Sequence, residues 1–263
     1  MSHPIALVTG ASSGIGEALA GRFAQGGHAF VLVARSAAKL RQLANTLAAA
    51  HGVKVWVAPA DLSLPGAAAR LAATIKRVKR PIDVLVNHAG VLEHGSFVEK
   101  PAERPRQMID LNVSGLTAML AQFVPAMLAR GHGQVPNVAS IAAFQPIPSL
   151  ATYAATKAYV LSLTESLSEE LKGTGVSVTA LCPGITATQM LSAAKQSSAQ
   201  LDKLPGFLIG DVGAVAREGY AACMAGEVIR VPGVLNLATI LASRATPKWL
   251  LRRVSGALVR RMK

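Results

Sequence analysis

The chain has 263 residues, 51% of them apolar and 4% aromatic, which suits one large α/β domain with an aliphatic core. Its two cysteines, Cys182 and Cys223, cannot make a disulfide framework, and no Cys/His group has zinc spacing. We therefore expect buried thiols and no metal site. No apolar run reaches the roughly 18 residues that cross a bilayer, and no signal-peptide pattern opens the chain. The expected location is the cytoplasm.

The net charge is +13, and more than half of it comes from the C-terminal end. The segment 244–263 holds seven basic residues and no acidic one. Such a segment suits contact with anionic lipid, nucleic acid or an acidic partner. Because the rest of the chain is only mildly basic, the charge does not indicate a nucleic-acid enzyme, and we expect no nucleic-acid partner.

Strand and helix patterns alternate along the chain. In order, they predict strand Ile5–Thr9, helix Ile15–Gln25, strand His28–Ala34, helix Ser36–Ala50, strand Val53–Ala58, helix Pro65–Lys79 and strand Ile82–Asn87. There follow helix Pro101–Ala129, strand Gln134–Ala139, helix Ser149–Lys172, strand Val176–Cys182, a helix from about Asp211 and strand Val228–Val231. Such alternation implies right-handed crossovers and a parallel sheet covered on both faces. We predict one Rossmann-like, doubly wound α/β domain over 1–235 and a basic amphipathic extension over 236–263.

A glycine-rich turn joins the first strand to the first helix. The stretch Thr9–Gly16 reads TGASSGIG, which spaces Gly10, Gly14 and Gly16 as G-x-x-x-G-x-G. Glycines there let the backbone approach a pyrophosphate, which free N–H groups and the positive helix end bind. The turn alone is a weak signal, because it differs from the common G-x-G-x-x-G pattern. Its place between strand and helix favours nucleotide binding.

Tyr153 and Lys157 are four residues apart on a predicted helix, so they share one face of it. A tyrosine with a pKa near 10 is a poor base at neutral pH. We expect the nearby ammonium to favour the phenolate and lower that pKa, so that Tyr153 transfers the proton. Ser140 ends the preceding strand, where its hydroxyl is expected to polarise a substrate carbonyl.

Six motifs, taken in order, resemble the short-chain dehydrogenase/reductase family. They are Thr9–Gly16, Asn87-His88-Ala89-Gly90, Asn112, Ser140, Tyr153-x-x-x-Lys157 and Pro183-Gly184. The resemblance implies a seven-stranded parallel sheet, a bound NAD(P)(H) and hydride transfer between nicotinamide and a carbonyl or alcohol carbon. It also implies a catalytic set of Asn112, Ser140, Tyr153 and Lys157. Because family members often pair through their two long helices, a homodimer or homotetramer is expected.

The resemblance further implies roles at the cofactor. Lys157 would hold the nicotinamide ribose, and Asn112 would order a water in a proton relay. Asp61 would contact adenine with the Leu62 amide as its partner, and Asn87 would tie neighbouring strands near the cofactor. The other residues expected there are Gly10, Ser12, Ser13, Gly14, Ile15, Gly16, Ala89, Tyr153, Pro183, Gly184, Ile185 and Thr188.

The end of the second strand bears on the choice between NAD and NADP. An NAD site usually has an acidic residue there, which accepts hydrogen bonds from the ribose hydroxyls. This chain reads Val33-Ala34-Arg35-Ser36, without a carboxylate. Because Arg35 offers a bidentate cation for a 2′-phosphate, the sequence favours NADP(H).

Three features depart from the family pattern. His88 stands where asparagine is more frequent, and we expect it to be a tolerated replacement. Pro136 falls within a predicted central strand, where it is either tolerated at the strand's start or weakens the sheet before Ser140. The segment 185–210, which by resemblance covers the substrate, has no specificity pattern. An apolar pocket, but no particular substrate, is indicated by Met190, Leu191, Leu204, Phe207 and Leu208.

Two alternatives stay open at the level of sequence. The chain is either an enzyme acting on a small carbonyl or alcohol, or a non-catalytic dinucleotide sensor or scaffold on the same fold. The complete catalytic set favours the enzyme, because a sensor does not need it. The segment 247–263 is a candidate basic amphipathic helix, weakened by Gly256. One possibility is that this helix packs on its own domain or on a sister subunit. The other is that the segment 244–263 contacts a membrane, because Trp249 and the arginines suit an anionic interface.

Overall fold

The computed structural model describes residues 3–189, 191–192, 206–247, 249–251, 253 and 256. Seven parallel strands form one sheet in the order β3-β2-β1-β4-β5-β6-β7. They are β1 (Ile5–Thr9), β2 (Ala29–Val33), β3 (Val55–Val57), β4 (Val84–Val86), β5 (Gly133–Val138), β6 (Val176–Leu181) and β7 (Ile229–Arg230). The strand order changes direction between β1 and β4, as in a doubly wound Rossmann-like sheet. The predicted fold class is therefore confirmed.

Helices connect the strands and cover both faces of the sheet. They are α1 (Gly14–Gln25), α2 (Ala37–His51), α3 (Ala67–Ile75), α4 (Glu103–Ile109), α5 (Leu116–Arg130), α6 (Ala151–Glu170), α7 (Val212–Met224) and α8 (Val234–Ala245). Short 3₁₀ turns follow at Lys76–Val78, Phe97–Glu99, Ile141–Phe144 and Gly206–Leu208. The predicted cap of α2 is present, since the Ser36 hydroxyl oxygen accepts a hydrogen bond from the Lys39 amide at 3.4 Å.

The first strand shows why the sheet needs cover on both sides. Ile5 and Leu7 join one hydrophobic cluster with residues of α3, α5 and α6, whereas Ala6 and Val8 join a second cluster with residues of α1, α2 and α7. Successive side chains of a strand point to opposite faces, so a strand that is apolar throughout must be covered twice. Both cysteine thiols are buried in these clusters, as the sequence predicted.

The helices α4 and α5 form one continuous helix, which a π-helical turn at Asp110–Gly115 interrupts. The sequence predicted the helix but not the π turn, a feature frequent at functional sites. Gly115 allows a close approach there, because a Cβ on it would stand 2.5 Å from the Leu62 carbonyl oxygen. By length and composition this helix is apolar enough to cross a membrane, but its Met119 and Leu120 pack into the core cluster. It is a covering helix of the sheet.

Pro136 lies inside the central strand β5 and leaves a gap in its hydrogen-bond ladder to β4. The amides of Gln134 and Val138 donate to the carbonyls of Asp83 and Asn87, each at 2.9 Å, but proline between them has no N–H to donate. Its carbonyl still accepts from the Asn87 amide at 2.9 Å, and β5 pairs with β6 along its whole length. The proline is thus tolerated in the middle of the strand rather than at its start, and it costs one β4–β5 hydrogen bond.

The helix α8 begins at Val234, near the predicted start of the C-terminal extension at residue 236. It packs on the Ile141–Phe144 turn, and its Asn236 side chain lies against Gly184. Of the predicted amphipathic helix beyond it, residues 248, 252, 254–255 and 257–263 lie outside the described residues.

Candidate active site

One cavity of about 900 Å³ runs along the carboxyl ends of β1, β2, β4, β5 and β6, and its size is typical of ligand sites. In open α/β sheets ligands bind at this edge, where the strand order changes direction. Most of the predicted site residues line it, namely Gly10, Ser12, Ser13, Gly14, Ile15, Arg35, Asp61, Leu62, Ala89, Ser140, Tyr153, Lys157, Pro183, Gly184, Ile185 and Thr188. Three predicted residues, Gly16, Asn87 and Asn112, are not part of its lining.

The glycine-rich turn forms one wall of the cavity and fits a pyrophosphate. Gly10 and Gly14 have φ values of +64° and +62°, a backbone region that favours glycine. A Cβ on Gly14 would stand 3.2 Å from the Thr188 side chain and would narrow the space between them. The N-terminus of α1 has no side-chain cap, since Ser13 makes no capping hydrogen bond. The first amides of α1 are thus available to an anion.

His88 packs against this turn and also lines the cavity. A Cβ on Gly16 would stand 2.4 Å from His88 Nδ1, so the third glycine makes room for the imidazole rather than for the ligand. His88 Nδ1 lies 3.2 Å from the Gly10 carbonyl oxygen. Burial, and next the charge of Lys157, lower the pKa of His88 to about 4. The ring is therefore neutral at pH 7, and Nδ1 carries the proton because a carbonyl only accepts.

Thr9 is a supporting residue whose role the sequence did not indicate. Its hydroxyl donates to the Val86 carbonyl at 3.1 Å and accepts from the amides of His88 and Ala89 at 3.0 and 3.1 Å. These bonds join the end of β1 to the loop after β4. The two loops that line the cavity from neighbouring strands are thereby held together.

Ser140, Tyr153 and Lys157 meet at the opposite wall. Ser140 caps the Ile141–Phe144 turn, accepting from the Ala142 amide at 3.1 Å. Tyr153 and Lys157 are buried one helical turn apart on α6, and Lys157 Nζ lies 5.8 Å from the Tyr153 ring centroid. The Lys157 ammonium donates to the Val138 carbonyl at 2.7 Å. The structure thus brings three of the four predicted catalytic side chains to one wall.

The expected lowering of the Tyr153 pKa by Lys157 is wrong for this structure. Burial raises the pKa of the Tyr153 phenol above its ordinary value of 10.0, and a hydrogen bond with the Ser140 side chain offsets part of the rise. The cation has a smaller influence than predicted, because it is directed to the Val138 carbonyl and burial lowers its own pKa to about 8. At neutral pH the site holds a protonated phenol.

Asn112 and Asn87 lie behind the cavity, and both tie elements together. Asn112 accepts from the Val91 amide and donates to the Val91 carbonyl, each at 2.9 Å, and it also donates to Thr156 at 3.2 Å. Asn87 donates to the Asn137 side chain at 2.9 Å, which links the residue after β4 to β5. Asn87 therefore sits where the sequence expected a tie between strands. The proton relay expected at Asn112 stays a prediction.

The end of the cavity beside β2 and β3 has a cationic rim. The Asp61 carboxylate accepts from the amide and hydroxyl of Ser63 at 3.0 and 2.6 Å, and these bonds hold the pKa of Asp61 below its ordinary value. Asp61 and Leu62 both line the cavity, and the contacts expected of them with adenine stay a prediction. Arg35 lines the cavity, and so do Ser36 and Lys39 from the start of α2. The sequence missed Lys39 as a site residue, although it follows Arg35 by four positions.

The end of the cavity between the Ile141–Phe144 turn and the loop after β4 is mostly apolar. Its lining here consists of Val91, Leu92, Ile141, Ala142, Ile147, Leu150 and Leu191, with His94, Gln145 and Gln189 as polar members. The two ends of the segment 185–210 are joined by a bridge between Thr186 and Gly210. Met190 and Leu204, which the sequence placed at this pocket, lie outside the described residues, and so does the Phe207 side chain. The Leu208 side chain is exposed.

The family model for short chain dehydrogenases matches residues 4–199. The chain therefore belongs to this family of oxidoreductases, and the six motifs lie within the matched region. The membership agrees with the family that the six sequence motifs indicated.

Similar proteins extend this match to most of the chain. An uncharacterized oxidoreductase of Staphylococcus epidermidis is 36% identical over 190 residues, which are 72% of this chain and 81% of the relative. A short-chain dehydrogenase from Sphingobium yanoikuyae, solved in complex with NADPH, is 33% identical with a TM-score of 0.80, covering 92% of this chain and 94% of its own. A short-chain dehydrogenase/reductase from Burkholderia phymatum, solved in complex with NAD, is 26% identical with a TM-score of 0.82 and coverages of 91% and 92%.

Proposed function

We propose that the protein is an NADP(H)-dependent oxidoreductase that interconverts an apolar ketone or aldehyde and its alcohol, with Tyr153 as the acid and base. One observation carries the proposal. Ser140, Tyr153 and Lys157 line the same cavity as the glycine-rich turn, so a dinucleotide bound on the turn and a carbonyl beside the phenol would share one space.

The protonation state of the phenol suits carbonyl reduction. Because the pKa of Tyr153 is raised, its hydroxyl is available to donate a proton to the substrate oxygen at neutral pH. Ser140 would hold that oxygen by a second hydrogen bond and favour charge development on it. When bound, the nicotinamide supplies the hydride chemistry. In the reverse direction the phenolate would take back the alcohol proton.

The cationic rim supports the choice of NADP(H). Arg35 and Lys39 line the cavity beside Ser36, and no acidic side chain lies at the end of β2. A 2′-phosphate would gain charge-assisted hydrogen bonds from these groups, which the uncharged ribose of NAD(H) could not form. The NADPH held by the Sphingobium relative agrees with this proposal, while the NAD held by the Burkholderia relative makes the choice a matter for measurement.

The class of substrate follows from the lining of the cavity. The aliphatic groups of Val91, Leu92 and Ile147 offer no charged partner, so an apolar carbonyl compound gains most by burial there. We further propose a homo-oligomer that pairs through α5 and α6, and a cytoplasmic location, as expected from the sequence.

The test is NADPH oxidation with a panel of ketones, aldehydes and diketones, by the parent and by Tyr153→Phe. The matched control is Tyr159→Phe, because Tyr159 lies on the same helix, is partly exposed and hydrogen-bonds Thr117 outside the cavity. We expect turnover by the parent and the control and loss of it in Tyr153→Phe. Full activity of Tyr153→Phe would overturn the assigned proton donor. Cofactor binding without turnover of any carbonyl or alcohol would favour a dinucleotide sensor.

A further inference from the structure

The helix α8 exposes an apolar face. Its exposed large side chains are Val234, Leu235, Leu237 and Leu241, with exposed fractions of 84%, 61%, 45% and 58%. The side that packs on the domain carries Asn236, Ile240 and Ser243, which lie on the opposite side of the helix. An exposed patch of large apolar side chains marks an interaction surface.

No charged residue interrupts this helix before its last turn. The stretch 231–243 contains neither an acidic nor a basic side chain, and the charge begins at Arg244. Directly after α8 the exposed Trp249 ring stacks under the Arg253 guanidinium, at 5.9 Å from carbon to ring centroid. An apolar helix is therefore followed at once by an aromatic residue and a cluster of cations.

We propose that the exposed face of α8, together with the basic segment 244–263, binds an anionic lipid surface. The helix would place its aliphatic side chains among the acyl chains, and the seven basic residues of the segment would meet the headgroups. Tryptophan and arginine prefer the boundary between these two regions. This surface goes beyond the proposed catalytic activity and does not depend on it.

Charge decides between lipid and the other partners for this face. A second copy would be a chain of like charge, because each chain has a net charge of +13 and seven basic residues in the sequence of the same segment. A nucleic acid would pair with the cations but leave the aliphatic face uncovered. An anionic bilayer satisfies both parts of the surface at once.

The surface also lies next to the catalytic cavity. α8 packs on the Ile141–Phe144 turn, in which Ile141 and Ala142 line the cavity, and Asn236 lies against the cavity residue Gly184. A bilayer on the outer face of α8 would therefore be separated from the cavity wall by one helix. An apolar carbonyl compound dissolved in the lipid would have a short path to the site.

The test is co-sedimentation of the full-length protein with vesicles of phosphatidylcholine, with and without phosphatidylglycerol. We expect binding only to the anionic vesicles, weakened by salt. Because each basic residue near such a surface contributes about fivefold in affinity, Lys248→Gln with Arg252→Gln and Arg253→Gln should weaken binding by on the order of 100-fold. Leu235→Ser with Leu241→Ser should weaken it at least about tenfold.

The matched control is Leu64→Ser with Met224→Ser, which replaces apolar side chains of similar exposure, 54% and 43%, elsewhere on the described surface. It should bind vesicles as the parent does.

Light scattering on the same variants measures their oligomeric state. Absence of vesicle binding, or equal binding by the α8 variant and the parent, would overturn the proposal. Dissociation of an oligomer by the α8 variant, without vesicle binding by the parent, would assign the face to a second copy instead. Reduction of a soluble ketone, measured without vesicles, reports separately on the catalytic proposal.

Discussion

The Lys157 ammonium donates a hydrogen bond of 2.7 Å to the carbonyl of Val138, the last residue of β5. The bond fixes the cation of α6 at the end of the strand that leads into Ser140. Burial at this place lowers the pKa of Lys157 to about 8, so keeping the charged form costs folding free energy. A hydrophobic side chain of the same length would avoid that cost, which makes Lys157 a good probe of the site.

The variant Lys157→Met should change the pH dependence of stability. Below pH 8 the lysine is charged in the folded and unfolded chains and the burial cost is fully present. Between pH 8 and about 10.5 the unfolded chain binds the proton more tightly than the folded chain. As the pH rises through this range, the unfolding free energy of the parent therefore increases relative to that of Lys157→Met, by up to about 3 kcal/mol. Urea unfolding of both proteins across this range measures the difference. A difference that stays constant with pH would show that Lys157 is not held in this environment.

His88 should make the parent sensitive to mild acid. The folded pKa of about 4 lies below the ordinary 6.5, so protons bind preferentially to the unfolded chain between these values. The parent should lose stability as the pH falls through this window, by on the order of 3 kcal/mol more than His88→Asn. Thermal unfolding of the two proteins from pH 7 to pH 4 tests this. If the stabilities of the two proteins change with pH in parallel, His88 is not a neutral ring packed against the glycine-rich turn.

The cationic rim should set the cofactor preference. Arg35→Ala and Lys39→Ala should each raise the Kd of NADPH about 10- to 100-fold, because each would lose a charge-assisted hydrogen bond to the 2′-phosphate. The Kd of NADH should stay the same. Arg41→Ala is the matched control, since Arg41 is exposed on the same helix and does not line the cavity. Fluorescence titration gives both constants, and an equal loss for NADPH and NADH would argue against 2′-phosphate recognition.

The pair Asn87 and Asn137 should matter for stability more than for chemistry. Asn137 accepts from Asn87 at 2.9 Å and donates to Thr164 at 3.0 Å, so it connects β4, β5 and α6 in a fully buried place. Asn137→Ala leaves the Asn87 amide without its acceptor and should cost about 2–4 kcal/mol of unfolding free energy. Asn45→Ala, at an exposed position of α2, is the control and should be nearly neutral. If the parent, Asn137→Ala and Asn45→Ala unfold at the same urea concentration, Asn137 does not stabilise the fold in this way.

The strands and most helices were predictable because short segments decide them. β1 is apolar throughout and ends in a glycine-rich turn, which leaves little choice but a buried parallel strand. The π turn at Asp110–Gly115 was not predictable, because it accompanies a contact between Gly115 and the Leu62 carbonyl, far away in the chain. The effect of Pro136 was also not predictable from local sequence. The hydrogen bonds of its carbonyl and of the neighbouring residues keep β5 in the sheet, although proline itself disfavours a central strand.

The candidate site also has features that the local sequence indicates and features that depend on the fold. The spacing of Tyr153 and Lys157 is local, and the sequence placed both on one helix face. The contact of His88 with Gly10 spans 78 positions, and Lys39 reaches the cavity only because α2 begins beside it. The direction of the Tyr153 pKa shift depends on burial, which a sequence does not give. Local patterns thus indicated the reacting groups, and the fold supplied their electrostatic environment.

Single-turnover reduction by the NADPH-saturated enzyme tests the central claim, that the Tyr153 phenol gives the proton to the substrate oxygen. NADPH absorbance is followed after rapid mixing with a ketone that the parent reduces, so that cofactor binding and product release do not enter the rate constant. The account predicts that Tyr153→Phe lowers this rate constant by roughly 10²- to 10⁴-fold at saturating NADPH. A rate constant equal to that of the parent would contradict it.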